Sequence, residues 1–493
     1  MVVIASKKII DDIGQLNVYT LLYSDTRKLE DAIIATVSKD QPVIGLYEGS
    51  WDRYDYLRKE LEKKGLNPYM YIPVDPGIEF ANIEDADPRN LVYAKHSAVL
   101  SFMAQNASYK IRPTKTVDRR TMLTSPFKSL LDYYPAPILI QPDNCKSWKY
   151  CTNCVETCPF DALKGKPPEV DLDKCTGCGL CTGSCPFGLL LMPQWNIEAL
   201  TYLLSIMRRH LEKPGYLVGA CNTTLKELSK AKIASENPVL FVNIECPGWL
   251  SDYHILAAAS RGFSTIVYCD ESQTESCGGG ELFEERLKNL EPLGVNPKIV
   301  SSIEELKEAL SKPPSVNPLD EDYSIIKEKT DAYKILSALG VEKVKFNDAV
   351  VGLVKVDDEK CLVCDACSNL CPFRALERVN EGDKTELIFH MDRCTACGIC
   401  EKVCPHDALV LDYEFDKKVF EEEKHVLAED EIARCRRCGK PIGSKKHLLA
   451  LEKKLRETGA DDWVIEQLWL CQECKLKTVI EKQLFGKPIN KSE

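Results

Sequence analysis

Cys361-Leu362-Val363-Cys364-Asp365-Ala366-Cys367-Ser368-Asn369-Leu370-Cys371-Pro372 and, further along, Cys394-Thr395-Ala396-Cys397-Gly398-Ile399-Cys400-Glu401-Lys402-Val403-Cys404-Pro405 repeat one cysteine pattern. Cysteines at every third residue curl the chain round one polynuclear metal–sulfur centre and leave backbone N–H groups aimed at its sulfurs. The fourth cysteine of each run cannot reach the same centre. Short β-forming segments flank both runs: Gly352–Val356 and Leu387–His390 before them, Arg374–Leu376 and Asp407–Val410 after them.

The double run resembles bacterial two-cluster ferredoxins, in which the fourth cysteine serves the neighbouring cluster. That resemblance implies one 4Fe-4S cluster on Cys361, Cys364, Cys367 and Cys404, and a second on Cys394, Cys397, Cys400 and Cys371. Zinc or disulfides are the alternatives for eight cysteines, and two runs that both end in Cys-Pro argue against them.

With 493 residues the chain has room for three or more domains. Its 64 basic and 75 acidic residues leave a net charge of −11, which argues against a nucleic-acid partner. No stretch of eighteen or more residues is continuously apolar, and the N-terminus lacks the basic-then-apolar order of a secretory signal, so a soluble cytoplasmic protein with no membrane span is expected. The 24 cysteines divide into six groups of four. Such thiolate ligands belong in a reducing compartment.

Residues 1–140 alternate strand-like and helical pieces, with strands expected over Val18–Tyr23, Pro42–Tyr47 and Pro68–Val74. Helices are expected over Trp51–Lys64, with Ser50 as N-cap, and over Asp87–Ala107. This is an α/β domain of unknown role followed by a connector. The turn Glu48-Gly49-Ser50 could hold an anion at a helix N-terminus, but an ordinary βα loop is the favoured expectation.

A first ferredoxin-like module occupies residues 141–192. Its later half, Cys175, Cys178, Cys181 and Cys185-Pro186, is regular, whereas five residues separate Cys145 from Cys151 before Cys154 and Cys158-Pro159 restore the pattern. By the same resemblance Cys145, Cys151, Cys154 and Cys185 hold one cluster, and Cys175, Cys178, Cys181 and Cys158 the other. A three-iron centre is the alternative on the Cys145 side, and Trp148, Lys149 and Tyr150 offer a docking edge.

Residues 193–315 read strand, helix, strand, helix, the alternation of a parallel sheet. Cys221, Cys246 and Cys269 each stand just past a strand's carboxyl end, where open α/β sheets place their sites, and Cys277 follows closely. The segments Cys221-Asn222, Ile244-Glu245-Cys246-Pro247-Gly248, the helix to Arg261-Gly262, and Ile266-Val267-Tyr268-Cys269 resemble the delta subunit of methyl-viologen-reducing hydrogenase. That resemblance implies one 2Fe-2S cluster on these four cysteines. Gly278-Gly279-Gly280, in place of the family's His-Tyr, and the wide Cys269–Cys277 spacing depart from it.

A linker with one helix fills 316–350, and the double run lies within a second ferredoxin module at 351–414. The tail, 415–493, is expected to be helical, with Cys435-x-x-Cys438 and Cys471-x-x-Cys474 as a metal knuckle. Paired Cys-x-x-Cys elements suit structural zinc, with iron as the alternative. Cys435–Ile442 and Leu470–Lys475 resemble polyferredoxins that accompany formate dehydrogenases.

The expected fold class is therefore α/β plus α+β in several domains. No nucleotide fingerprint or nucleophile–base pair is evident, and no residue is assigned a catalytic role. The expected function is electron transfer to or from a separate catalytic subunit of formate dehydrogenase, hydrogenase or heterodisulfide reductase type, with a soluble ferredoxin as a candidate donor or acceptor. The alternatives are an assembly scaffold for a molybdopterin enzyme and a reductase using the N-terminal domain.

Overall fold

The computed structural model describes residues 2–81, 87, 89–96, 110–113, 131–134, 136–147, 149–192, 197–210, 213–231, 233, 235–244, 246–269, 290, 298–319 and 331–485. The chain divides into two compact units, Met1–Val351 with Tyr413–Phe415, and Gly352–Asp412 with Asp416–Glu493. Both are mixed α/β.

In the first unit a four-stranded parallel sheet runs in the order Thr20–Tyr23, Val2–Ser6, Val43–Leu46, Tyr71–Val74. Val3, Ile4, Ile44 and Leu46 are buried, as expected of strands covered on both faces. The crossover helix Thr26–Val37 is capped by the Asp25 carboxylate, which accepts the N–H groups of Arg27 and Lys28, and it buries Leu29, Ile33 and Val37. The next helix, Tyr54–Lys63, starts at Arg53 and not at Ser50, whose side chain is fully buried. The Glu48-Gly49-Ser50 turn does not hold its amide open for an anion: Gly49 N–H donates to Asp75 Oδ2 at 2.5 Å. Of the helix expected over Asp87–Ala107, residues 97–107 lie outside the described residues.

A second sheet has the order Lys298–Val300, Phe263–Tyr268, Gly215–Ala220, Val239–Asn243, Phe80–Ala81. Its first four strands are parallel, and Phe80–Ala81 joins antiparallel, with Ala81 opposite Val239. The N-terminal segment and residues 193–315, expected as separate domains, thus share a sheet. They also share an apolar core in which Ile4, Ile33, Trp51 and Tyr71 belong to the same cluster as Val218, Phe241, Ile266 and Leu306. The spacing of short runs in the sequence gives no sign of a two-residue edge strand, so this joint was not legible.

In the second unit Leu353–Val356 pairs antiparallel with Leu409–Asp412, framing the cysteine runs. A four-stranded antiparallel sheet follows, in the order Leu376–Glu381, Lys384–Phe389, His425–Arg434, Pro441–Ser444. The tail is therefore not purely helical, because its ten-residue strand His425–Arg434 extends the ferredoxin hairpin. Glu429-Asp430-Glu431 disguise that strand: Glu429 and Glu431 face solvent, Asp430 on the opposite face accepts from Ser444, and only Ala428 and Ala433 are buried. The helices Lys445–Glu457, Asp462–Leu468 and Gln472–Phe485 complete the tail around Ala433, Leu448 and Trp469.

Candidate metal centres

In the second unit Cys361, Cys364, Cys367 and Cys404 line one cavity of about 380 Å³, together with Leu362, Arg378 and His406. Cys394, Cys397 and Cys400 line another of about 360 Å³, and the fourth cysteine there is Cys371. In the first unit Cys175, Cys178 and Cys181 line a cavity of about 320 Å³ with Cys158. Cys145, Cys154 and Cys185 pack in one apolar cluster, and Cys151 is buried among their thiols.

Local backbone geometry explains how the runs close. The residues on either side of the middle cysteine are left-handed in three of the four runs: Val363 and Asp365 (φ 47° and 76°), Ala396 and Gly398 (55° and 71°), and Gly177 and Gly179 (71° and 80°). A β-branched residue such as Val363 is seldom found there, which marks a turn imposed by its surroundings. The run with the longer loop differs, because Thr152, just past Cys151, has φ −132° and leads into the helix Asn153–Glu156.

All four runs agree beyond the fourth cysteine. The third residue after it is left-handed, at Asp161, Gly188, Arg374 and Asp407. The next N–H then donates back to that cysteine's Sγ: Ala162 to Cys158 at 3.4 Å, Leu189 to Cys185 at 3.3 Å, Ala375 to Cys371 at 3.2 Å and Ala408 to Cys404 at 3.3 Å. Such bonds stabilise negative charge on sulfur.

Burial, followed by the charge of neighbouring thiols, pushes Cys154 and Cys367 up to about 12 and raises Cys181 and Cys400 as well. Four thiolates cannot coexist in such a pocket without a cation to offset them. Thiols gathered in a cavity, held by backbone N–H donors and needing positive charge, fit a polynuclear iron centre.

The cysteines of the second sheet stand elsewhere. Cys221 follows Gly215–Ala220, Cys246 comes shortly after Val239–Asn243, and Cys269 follows Phe263–Tyr268, so three neighbouring strands deliver one cysteine each to the same sheet edge. Thr224 Oγ1 lies 3.4 Å from Cys221 Sγ. Cys277 and the glycines after it lie outside the described residues.

The loop carrying Cys246 abuts the first ferredoxin module. A Cβ placed on Gly248 would come within 2.7 Å of the Cys178 carbonyl oxygen, and one on Gly179 within 3.0 Å of Trp249 Cα. Glycine at both positions lets the two backbones meet. The sequence shows only that Gly179 follows Cys178 directly and that Gly248 lies two residues past Cys246, which gives no sign that the two loops meet.

In the tail Cys435, Cys438, Cys471 and Cys474 place their sulfurs within 4.8 Å of one another, with Cys438 and Cys471 at 3.5 Å. A single ion with metal–sulfur bonds near 2.3 Å needs tetrahedron edges of about 3.8 Å, so this set fits one ion. Gly439, at φ 74°, turns the first pair, and its N–H donates to Cys435 O at 2.8 Å. Although burial works against it, N–H donors from Cys471, Arg437 and Cys438 hold Cys435 down at about 6. Among the described residues one other group gathers as tightly: Cys364 with His406 and His447. Neither histidine was singled out from the sequence, since a His far along the chain gives no sign that it reaches a cysteine loop.

Residues 360–408 match the 4Fe-4S dicluster domain family, and residues 167–190 match a 4Fe-4S binding domain family. The chain carries ferredoxin-type iron–sulfur domains. The second match covers the regular half of the first module and leaves out Cys145–Cys158, where the loop is longer. Two uncharacterized ferredoxins of Methanocaldococcus jannaschii are 51% identical over 41 residues (8% of this chain, 25% of theirs) and 37% identical over 62 residues (12% and 41%). Pyruvate synthase subunit PorD of Methanothermobacter marburgensis is 40% identical over 42 residues (8% and 51%). The chain thus spans between a quarter and about half of the length of these curated relatives. No described helix is long and apolar enough to cross a membrane.

Proposed function

We propose that the chain is a multi-centre electron-transfer subunit that relays electrons to or from a separate catalytic subunit. The observation that carries this reading is the crossing of Cys371: it leaves its own run and lines the cavity of Cys394, Cys397 and Cys400. Two-cluster ferredoxins use this arrangement to hold two centres close together. On this reading one 4Fe-4S cluster belongs to Cys361, Cys364, Cys367 and Cys404, and one to Cys394, Cys397, Cys400 and Cys371. The first module adds one on Cys145, Cys151, Cys154 and Cys185, and one on Cys175, Cys178, Cys181 and Cys158. Bound there, such clusters supply reversible one-electron storage. The chain's own part is to hold the thiolates, bury them and aim N–H groups at their sulfurs.

Cys221, Cys246, Cys269 and Cys277 hold a 2Fe-2S cluster on the same reading, in keeping with the resemblance to the hydrogenase delta subunit. The meeting of Gly248 with Cys178 supports placing this centre next to the Cys175-side cluster. The tail knuckle holds zinc. Pyruvate synthase subunit PorD is by name one subunit of a larger enzyme, and the match supports a similar place here, beside a catalytic subunit of hydrogenase, heterodisulfide reductase or formate dehydrogenase type. Extensive thiolate ligation supports a reducing compartment such as the cytoplasm.

Anaerobic purification of the intact tagged chain tests this. About sixteen cubane irons plus two are expected per chain, together with a nickel–iron or pterin catalytic subunit in the eluate. A chain that stays free of iron after cluster reconstitution would sink the proposal.

A further inference from the structure

The helix Lys445–Glu457, which lies between the two halves of the tail knuckle, is fastened to the cysteine loop of the second module. Its N-cap, Ser444, is 1% exposed. The Ser444 hydroxyl lies 2.6 Å from the carbonyl oxygen of Leu362, between Cys361 and Cys364, and 2.7 Å from Asp430 Oδ2, so its one hydrogen is shared between two acceptors. It also accepts the N–H of His447 at 3.1 Å, while Asp430 Oδ2 accepts that of Lys446 at 2.7 Å. The Leu362 bond ties the start of the helix to the Cys361–Cys364 loop, and the others fix its first turn on Ser444 and Asp430.

One turn into that helix, the His447 ring meets His406, two residues beyond Cys404, with centroids 6.4 Å apart and planes at 74°. One nitrogen from each ring and Cys364 Sγ lie within 4.8 Å of one another. His406 Nε2 and His447 Nδ1 are buried without a hydrogen-bond partner among the described residues. A buried, unmatched ring nitrogen is unfavourable, and a sulfur carrying negative charge would relieve it by accepting an N–H.

We propose that the tail helix is a redox-tuning cap on the Cys361–Cys364–Cys367–Cys404 centre, in which His447, supported by His406, donates an imidazole N–H to the Cys364 thiolate. The proposal rests on the reading of those four cysteines as a 4Fe-4S site. An N–H donor to a cluster thiolate favours the reduced, more negative state and raises the potential. His447 is therefore a positioning and tuning residue, and the knuckle's task is to keep it in place.

Redox titrations of the full chain, followed by electron paramagnetic resonance, test this in His447→Ala and His447→Gln, with the relevant signal identified by its loss in Cys404→Ala. Iron content should stay at the wild-type level in both His447 variants. In His447→Ala the ratio of reduced to oxidised centre at fixed potential should fall about tenfold, a shift of about 59 mV to lower potential. Glutamine keeps an N–H donor and should recover most of that shift, while the other clusters stay put. An intact centre with an unmoved potential, equal shifts in both variants, or loss of a bound non-iron metal would overturn the cap proposal alone. Absence of the Cys404-dependent signal from the wild-type chain would instead remove the underlying reading, and the proposal with it.

Discussion

In the module around Cys361–Cys404 both halves turn through left-handed residues on each side of the middle cysteine, whereas in the module around Cys145–Cys185 only the Cys175 half does. The modules also differ in what faces those turns. Gly248 and Trp249, beside Cys246, press on Cys178 and Gly179 in the first. Ser444 and His447, from a helix without cysteine, cover the Leu362 and Cys364 loop in the second. The turn that grips a centre is thus a local property, repeated wherever the spacing recurs. What lies against it differs, a cysteine-bearing loop in the first module and the start of a helix in the second.

The largest expected effect tests whether the modules share their crossing. Cys371→Ala should remove about four irons and the signal assigned to the Cys394 side, and Cys158→Ala should do likewise for the Cys175 side. Iron analysis with electron paramagnetic resonance distinguishes the outcomes. If Cys158→Ala spares the Cys175-side signal, the longer loop has changed the pairing and the modules differ in connectivity as well as in surroundings.

Two glycine substitutions probe the surroundings themselves. A Cβ on Gly352 would sit 2.9 Å from Cys394 Sγ, so Gly352→Val should expel a centre and about four irons. Gly248→Val meets the Cys178 carbonyl instead, and the expected outcome is full iron content with a loss of about 1–3 kcal/mol of stability from overpacking, seen as a lower melting temperature. Iron loss in Gly248→Val would show that the contact holds the first module's cluster in place and is more than a junction.

Removal of the tail ion comes next in size. Cys438 is the exposed member of its set, and Cys438→Ser should cost one bound metal ion per chain and leave the ferredoxin irons in place. Elemental analysis reads both at once. A fall of about four irons would mean that the knuckle holds a cluster.

The cysteine spacing made both ferredoxin modules readable from the chain, because every third residue on a tight turn is a purely local constraint. Parallel strands were also legible at Pro42–Tyr47 and Thr265–Tyr268, where β-branched and apolar residues run together. Contacts made at long range were not. Phe80–Ala81 joins the second sheet through two residues, too few for a periodic signal. His425–Arg434 carries three acidic residues in a row, Glu429 to Glu431, which breaks the apolar alternation of a strand, and so looks helical or irregular. The sequence departure at Cys145–Cys151 was visible, but its physical form was not: it takes Thr152 out of the left-handed region, while the helix still starts two residues past the middle cysteine.

The smallest expected effect separates two jobs of Ser444. As N-cap it accepts the His447 N–H, and as a cross-link it donates toward the Leu362 carbonyl. Ser444→Ala loses both and should destabilise the first turn of the helix by about 1–2 kcal/mol, so the His447 amide should exchange its hydrogen roughly tenfold faster for each 1.4 kcal/mol lost. Ser444→Asp keeps a capping oxygen but has no hydrogen for Leu362 and sets a second carboxylate beside Asp430. It should therefore leave the helix start only partly protected and the Cys361–Cys364 loop as exposed to exchange as in the alanine variant. Ser444→Thr retains both bonds and should match the wild type. The loop around Cys178 is held by backbone packing against Trp249, so its exchange should be the same in all three variants; if it changes, the cap is not particular to the second module.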